Sequence, residues 1–168
     1  PSRFMNPAEE IVKFSLQQQG YFFESSIKVG RKDIDILAVH PIHPNQRRHI
    51  EVSVSINMVD PKNNPESKAL HYLNHHFGHP EIKPEVQKRF GQNLSYKMEL
   101  VVGDIRLKGR ECLAEFTREC KKLDITVITF ASILEKIRSN LGTGTEFNGT
   151  IKTVQLCKKF MPRSETKI

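Results

Sequence analysis

A chain of 168 residues, 38% of them hydrophobic, has ordinary globular composition and is long enough for one full hydrophobic core. Its 26 Lys+Arg against 19 Asp+Glu leave a net charge of +7, which favours a polyanionic partner, nucleic acid first, over an acidic protein or a neutral small molecule. No apolar run approaches the ~20 residues that span a bilayer, and no signal-peptide pattern opens the chain, so a soluble, cytoplasmic or otherwise intracellular protein without a membrane partner is expected.

Asn6-Pro7 followed by Ala8, Glu9 and Glu10 predicts a helix start: Asn as cap, Pro in the first turn, acids near the positive end of the dipole. Gly20 closes that helix. Residues 21–28 read as a strand, Gly30 as a turn and 33–39 as a second strand. A loop with Pro41, Pro44 and Asn45 then suits a hairpin-like connection to a third strand over about 49–56. Residues 61–65 are loop, 67–77 look helical up to Gly78, and 84–90 make a short helix. A buried strand over 97–103 precedes a helix over 109–123 with Cys112, Leu113, Phe116, Cys120 and Leu123 at helical spacing. A further buried strand spans 125–130, and Ile133, Leu134, Ile137 and Leu141 mark the apolar face of another helix.

The order αβββ, helices, β, α, β, α predicts an α/β fold with a mixed central sheet flanked by helices, occupying residues 1–141. From Gly142 the chain changes character. Gly142, Gly144 and Gly149 make a flexible link, 150–156 could be one more strand, and Lys158, Lys159, Arg163 and Lys167 form a basic tail, read as a solvated end rather than a nucleic-acid arm. Cys112, Cys120 and Cys157 have no metal-ligand spacing and read as free thiols of a reducing compartment.

Two acids stand out. Acidic side chains are depleted in strands, yet Asp35 interrupts the apolar run Ile34/Ile36/Leu37 and Glu51 the run Ile50/Val52/Val54. A shared divalent cation is the usual reason for acids on adjacent strands. The alternative is a buried ion-pair network with Arg31, Lys32 or Arg48. Alternation places Glu51, Ser53 and Ser55 on one face of the third strand and Ile50, Val52 and Val54 on the other.

An α-β-β-β opening with an acid in the helix, one in the second strand and one in the third resembles the PD-(D/E)XK nucleases, the restriction-endonuclease-like superfamily, and most of all the archaeal Holliday junction resolvases. The likeness rests on AEEIVKFSLQQQGYFFESS, whose Glu9 lies eleven residues before Gly20, then on DIDILAV and IEVSVS, and covers residues 7 to about 56. It implies a restriction-endonuclease-like αβββαβ core and a metal-dependent endonuclease acting on DNA in junction resolution, repair or defence. Asp35 and Glu51 would hold Mg²⁺ or Mn²⁺ with the Val52 carbonyl, while Glu9, or Glu10 about 100° further round the helix, would orient a water.

The third-strand motif of that superfamily ends in lysine, and here Ser53 stands in its place. A neutral hydroxyl neither deprotonates water nor offsets phosphate charge. Lys28, Lys32 and Lys68 are candidate substitutes. A second function follows from the same departure: a catalytically degenerate module that binds nucleic acid or a protein partner without cutting. Arg47 and Arg48 at the entrance of the third strand could grip flanking phosphates or belong to a solvated turn, and Arg31 at the other end of the strand pair, with Lys28 and Lys68, completes the candidate nucleic-acid-binding set. A homodimer would bring two sites to two strands. His71, His75 and His79 recur at i, i+4 and i+8, and an exposed or partly packed histidine cluster is expected there rather than a zinc site. Gly142-Thr143-Gly144-Thr145 lacks the Lys-Ser/Thr of a phosphate-binding loop.

Overall fold

The first helix begins as its sequence dictates. Asn6 keeps an extended backbone and its side chain accepts the Ala8 amide at 3.1 Å, with Pro7 next in the first turn. Helix α1 (Pro7–Gln18) buries Ala8, Val12, Ser15 and Leu16. It ends where Gly20 takes a φ of +81°, a left-handed backbone that glycine adopts without a Cβ penalty. The computed structural model describes residues 6–57, 70–106 and 110–140, with side chains for 6–53, 70–103 and 116–140.

Five strands follow in chain order: β1 (Phe22–Val29), β2 (Lys32–Val39), β3 (Arg47–Asn57), β4 (Lys97–Arg106) and β5 (Ile125–Thr129). They form one sheet in the order β1-β2-β3-β4-β5. The first three pair antiparallel, because the connections between them are short. From β3 onward the pairs are parallel, because helical crossovers return the chain to the same end of the sheet. Between β3 and β4 lie residues 70–73, helical, a π-helix over Asn74–Gly78, and α2 (Ile82–Phe90). Helix α3 (Arg110–Lys122) links β4 to β5, and α4 (Phe130–Asn140) follows β5.

Each face of the sheet is covered. On one, Val12 and Leu16 of α1 and Ile133 and Ile137 of α4 pack on Ile36, Ala38, Ile50 and Val101. On the other, Leu73, Phe77, Phe116 and Cys120 cover Leu100, Val102 and Ile125, while Ile82 and Val86 of α2 cover Ile27, Val29, Ile34 and Leu37. The α/β architecture with a mixed sheet between helices therefore agrees with the sequence, and Cys120 is buried as expected. Several boundaries move, three of them for a local reason. The helix expected to run unbroken through residue 77 widens into π geometry at Asn74, and α2 starts two residues early because Pro84 sits within its first turn, where no amide donor is needed. Strand β5 stops at Thr129, since Phe130 already opens α4.

No helix among the described residues is long and apolar enough to cross a membrane. The loop at 61–65, Lys68 and the whole segment 142–168, with its expected strand and basic tail, lie outside the described residues.

Candidate carboxylate site

The two singled-out acids meet where the β2–β3 ladder stops. Pairing runs from Val39↔Arg47 to Ile36↔Ile50, so the next step of the register would set Asp35 opposite Glu51. Instead, Asp35 Oδ2 accepts the backbone N–H of Val52 at 2.7 Å. On the other side, the register partner of Asp35 would be Ser26, which takes a φ of +55° and is skipped in the β1–β2 pairing. Both neighbouring ladders therefore lapse at Asp35. Strand alternation lapses with them: Ile36 packs with the α1 and α4 residues, whereas Ile34 packs with Leu37 and α2 on the opposite face.

Burial, the charge of Glu51 and that of Glu9 push the Asp35 carboxyl up to about 7, against the opposing pull of the Val52 N–H bond and of His76. Glu51, only 2% exposed, has opposite behaviour. Burial raises it, but hydrogen bonds from His49 and His76 outweigh that and hold its carboxyl below the usual range. His49 Nε2 lies 2.7 Å from Oε1 and His76 Nδ1 lies 3.3 Å from Oε2. An ionised carboxylate only accepts, so both imidazoles must donate: His49 from Nε2, His76 from Nδ1. His49 is fully buried between Phe77 and Tyr96, at centroid distances of 5.0 and 6.3 Å. Its Nδ1 has no partner among the described residues.

Glu9 reaches the site from α1, half-buried, with Asn6 Nδ2 donating to its Oε1 at 2.9 Å. Glu10 turns aside and pairs with Lys13. Of the two helix acids, Glu9 is thus the one whose charge bears on Asp35. Ser53 follows Glu51 on the same face and is a hydrogen-bonding neighbour of Tyr72, whose phenol is raised by burial and, further, by the charges of Glu51 and Asp35.

The basic candidates scatter. Lys32 Nζ lies 2.6 and 2.9 Å from the two ring nitrogens of His75, whose own ring sits 5.1 Å from that of His76. Lys28 pairs with Asp33 at 2.5 Å, and Arg31 is exposed in the β1–β2 turn. Arg47 shares the face of Glu51 but begins β3, about 13 Å away along the strand. Arg48 points to the opposite face, 3.5 Å from Glu99 and 4.7 Å above the Tyr21 ring. Among the described residues neither acid pairs with Arg31, Lys32 or Arg48; the partners of Glu51 are the histidines.

Sequence reasoning gave neither His49 nor His76 a part in this site. His49 carried a legible signal, two residues before Glu51 on the same strand face. His76 carried none, because only the tertiary fold brings the π-helix over β3.

Among the described residues no group of three or more His, Cys, Asp or Glu side chains is disposed to hold a metal ion, and this includes the His71/His75/His79 series. Zinc-type cages need three such donors. Mg²⁺ and Mn²⁺ suit hard oxygens, and Mg²⁺ keeps much of its water and needs only one or two carboxylates. Asp35 and Glu51 meet that smaller requirement: two carboxylates on neighbouring strands, one with an oxygen held only at 3.3 Å by a half-exposed histidine.

No family model matches the chain, and no curated protein matches it. Among solved structures, the crystal structure of a protein of unknown function, AF1548, aligns with a TM-score of 0.48 at 12% sequence identity, over 83% of this chain and 73% of that one.

Proposed function

We propose that the chain is a divalent-metal-dependent endonuclease with a restriction-endonuclease-like αβββαβ core, hydrolysing phosphodiester bonds in DNA at the Asp35–Glu51 site. The observation that carries this reading is the meeting of two carboxylates on adjacent strands where the β2–β3 ladder ends, with Glu9 acting on Asp35 from α1. Like charges gathered in a poorly solvated place repel, and a cation relieves them. Asp35 and Glu51, with the Val52 carbonyl, would hold Mg²⁺ or Mn²⁺, and Glu9 would orient water. Such an ion neutralises phosphate charge and makes water more acidic. The net charge of +7 supports a polyanionic substrate, and a homodimer would present one site to each strand.

Cleavage of branched, duplex and single-stranded DNA with Mg²⁺ or Mn²⁺ tests the reading. Asp35→Ala and Glu51→Ala should each lower the rate by more than the ~10–100-fold typical of losing an outer-shell partner. Cleavage unchanged in both would overturn it. Ser53 favours a second reading, a module that binds nucleic acid or a protein partner without cutting. Under it the natural chain binds DNA but cleaves none, and Ser53→Lys gains cleavage.

A further inference from the structure

The nuclease reading leaves a gap on β3. Where a lysine would stand two residues after Glu51, Ser53 offers only a short hydroxyl, beside the Tyr72 phenol. Whatever positions the attacking water must come from another element. Of the segment that covers this face of β3, Leu73 and Phe77 are sunk in the core, at 0% and 5% exposure, and fix the turn between them. The backbone there is π-helical, a geometry common at functional sites because the extra residue re-aims the side chains of that turn.

His76 is the side chain this turn delivers. Its Nδ1 donates to Glu51 Oε2 at 3.3 Å, and its ring stacks at a tilt on Tyr72, with centroids 4.6 Å apart. With the His75 ring 5.1 Å away in addition to these, the ring is oriented by three contacts, while its side chain stays 30% exposed. With the proton on Nδ1, Nε2 keeps an unshared pair, and it has no hydrogen-bond partner among the described residues. Of the rival groups, Lys32 is engaged by His75, and the Tyr72 phenol is raised by burial, which leaves it a poor acceptor for a water proton.

We propose that His76 is a catalytic residue whose Nε2 accepts a hydrogen bond from the attacking water and fixes its line of approach, taking from the π-helix the place that Ser53 leaves empty on β3. This rests on the nuclease reading of the same site. Fixing a nucleophile within hydrogen-bond reach is worth a large factor, since a misplacement of ~1 Å costs about a hundredfold in rate.

Single-turnover cleavage of branched and duplex DNA in Mn²⁺ tests it, alongside Mn²⁺ binding followed by electron paramagnetic resonance. His76→Ala should lose about a hundredfold in rate while Mn²⁺ affinity changes by less than about threefold. Added imidazole should restore much of the rate in His76→Ala but none in Glu51→Ala, and Ser53→Lys should recover cleavage in the His76→Ala background. A His76→Ala enzyme as fast as the natural chain overturns the inference and leaves the nuclease reading standing. So does a slow one that neither imidazole nor Ser53→Lys recovers, since His76 would then be structural. A natural chain that binds no Mn²⁺ and cuts nothing overturns both.

Discussion

Asp35 carries a free-energy penalty that its hydrogen bond to the Val52 N–H offsets only in part. Its carboxyl titrates near 7 in the folded chain against an ordinary 3.8. A raised carboxyl pKa means that the folded state binds the proton more tightly than the unfolded one. The contribution to stability is complete below 3.8 and is lost as pH rises through about 7. Asp35→Asn keeps an oxygen for the Val52 N–H but cannot ionise. Its thermal midpoint should match that of the natural chain in acid, exceed it increasingly as pH rises from 3.8 to about 7, and stay ahead by a constant margin above that, in buffer free of divalent cations. Adding Mn²⁺ should raise the midpoint of the natural chain and not that of the variant, because only a ligand of the folded state stabilises it. A gap that stayed constant with pH would mean that Asp35 is not strained by its charge.

At the scale of elements, α1 couples helix stability to the site. Asn6 caps the helix through Ala8 N–H and, with the same side chain, holds Glu9. Asn6→Ala should cost about 1 kcal/mol in denaturant unfolding and also free Glu9 from its fixed orientation, whereas Asn6→Asp should keep most of the cap while losing the amide that donates to Glu9. Cleavage slowed in both variants, with stability lost mainly in the first, would separate the two tasks. The cap, the turn at Gly30 and the antiparallel β1–β2–β3 arrangement were legible because each depends on residues close in sequence. The break at Asp35 was not: Ile34 and Ile36 look like one face of a strand, and their separation arises where pairing with Ser26 lapses and the Asp35 carboxylate takes the Val52 N–H instead. The π-helix was equally hidden. The recurrence of His71, His75 and His79 at i, i+4 and i+8 drew notice to those rings, while His76, the histidine that reaches Glu51, fell between them.

For the molecule as a whole, the net +7 does not act as a uniform surface, because several of the basic side chains are paired with acids and others are not. Arg47 and Arg48, adjacent in sequence, show the difference. Arg47 lies on the face that carries Glu51, and Arg48 lies on the α1 face with Glu99, a buried acid whose carboxyl is raised by burial and only partly relieved by Arg48. DNA affinity measured against salt should fall linearly on logarithmic axes, each phosphate contact adding about one unit of slope. Arg47→Ala should reduce the slope by about one. Arg48→Ala should leave the slope unchanged and instead lower the unfolding free energy, because Glu99 loses its cation and the Tyr21 ring its cover. Equal slopes for the natural chain and Arg47→Ala would remove that arginine from the DNA path. A reduced slope with Arg48→Ala would place DNA across the α1 face, away from the carboxylates, and would count against cleavage at Asp35 and Glu51.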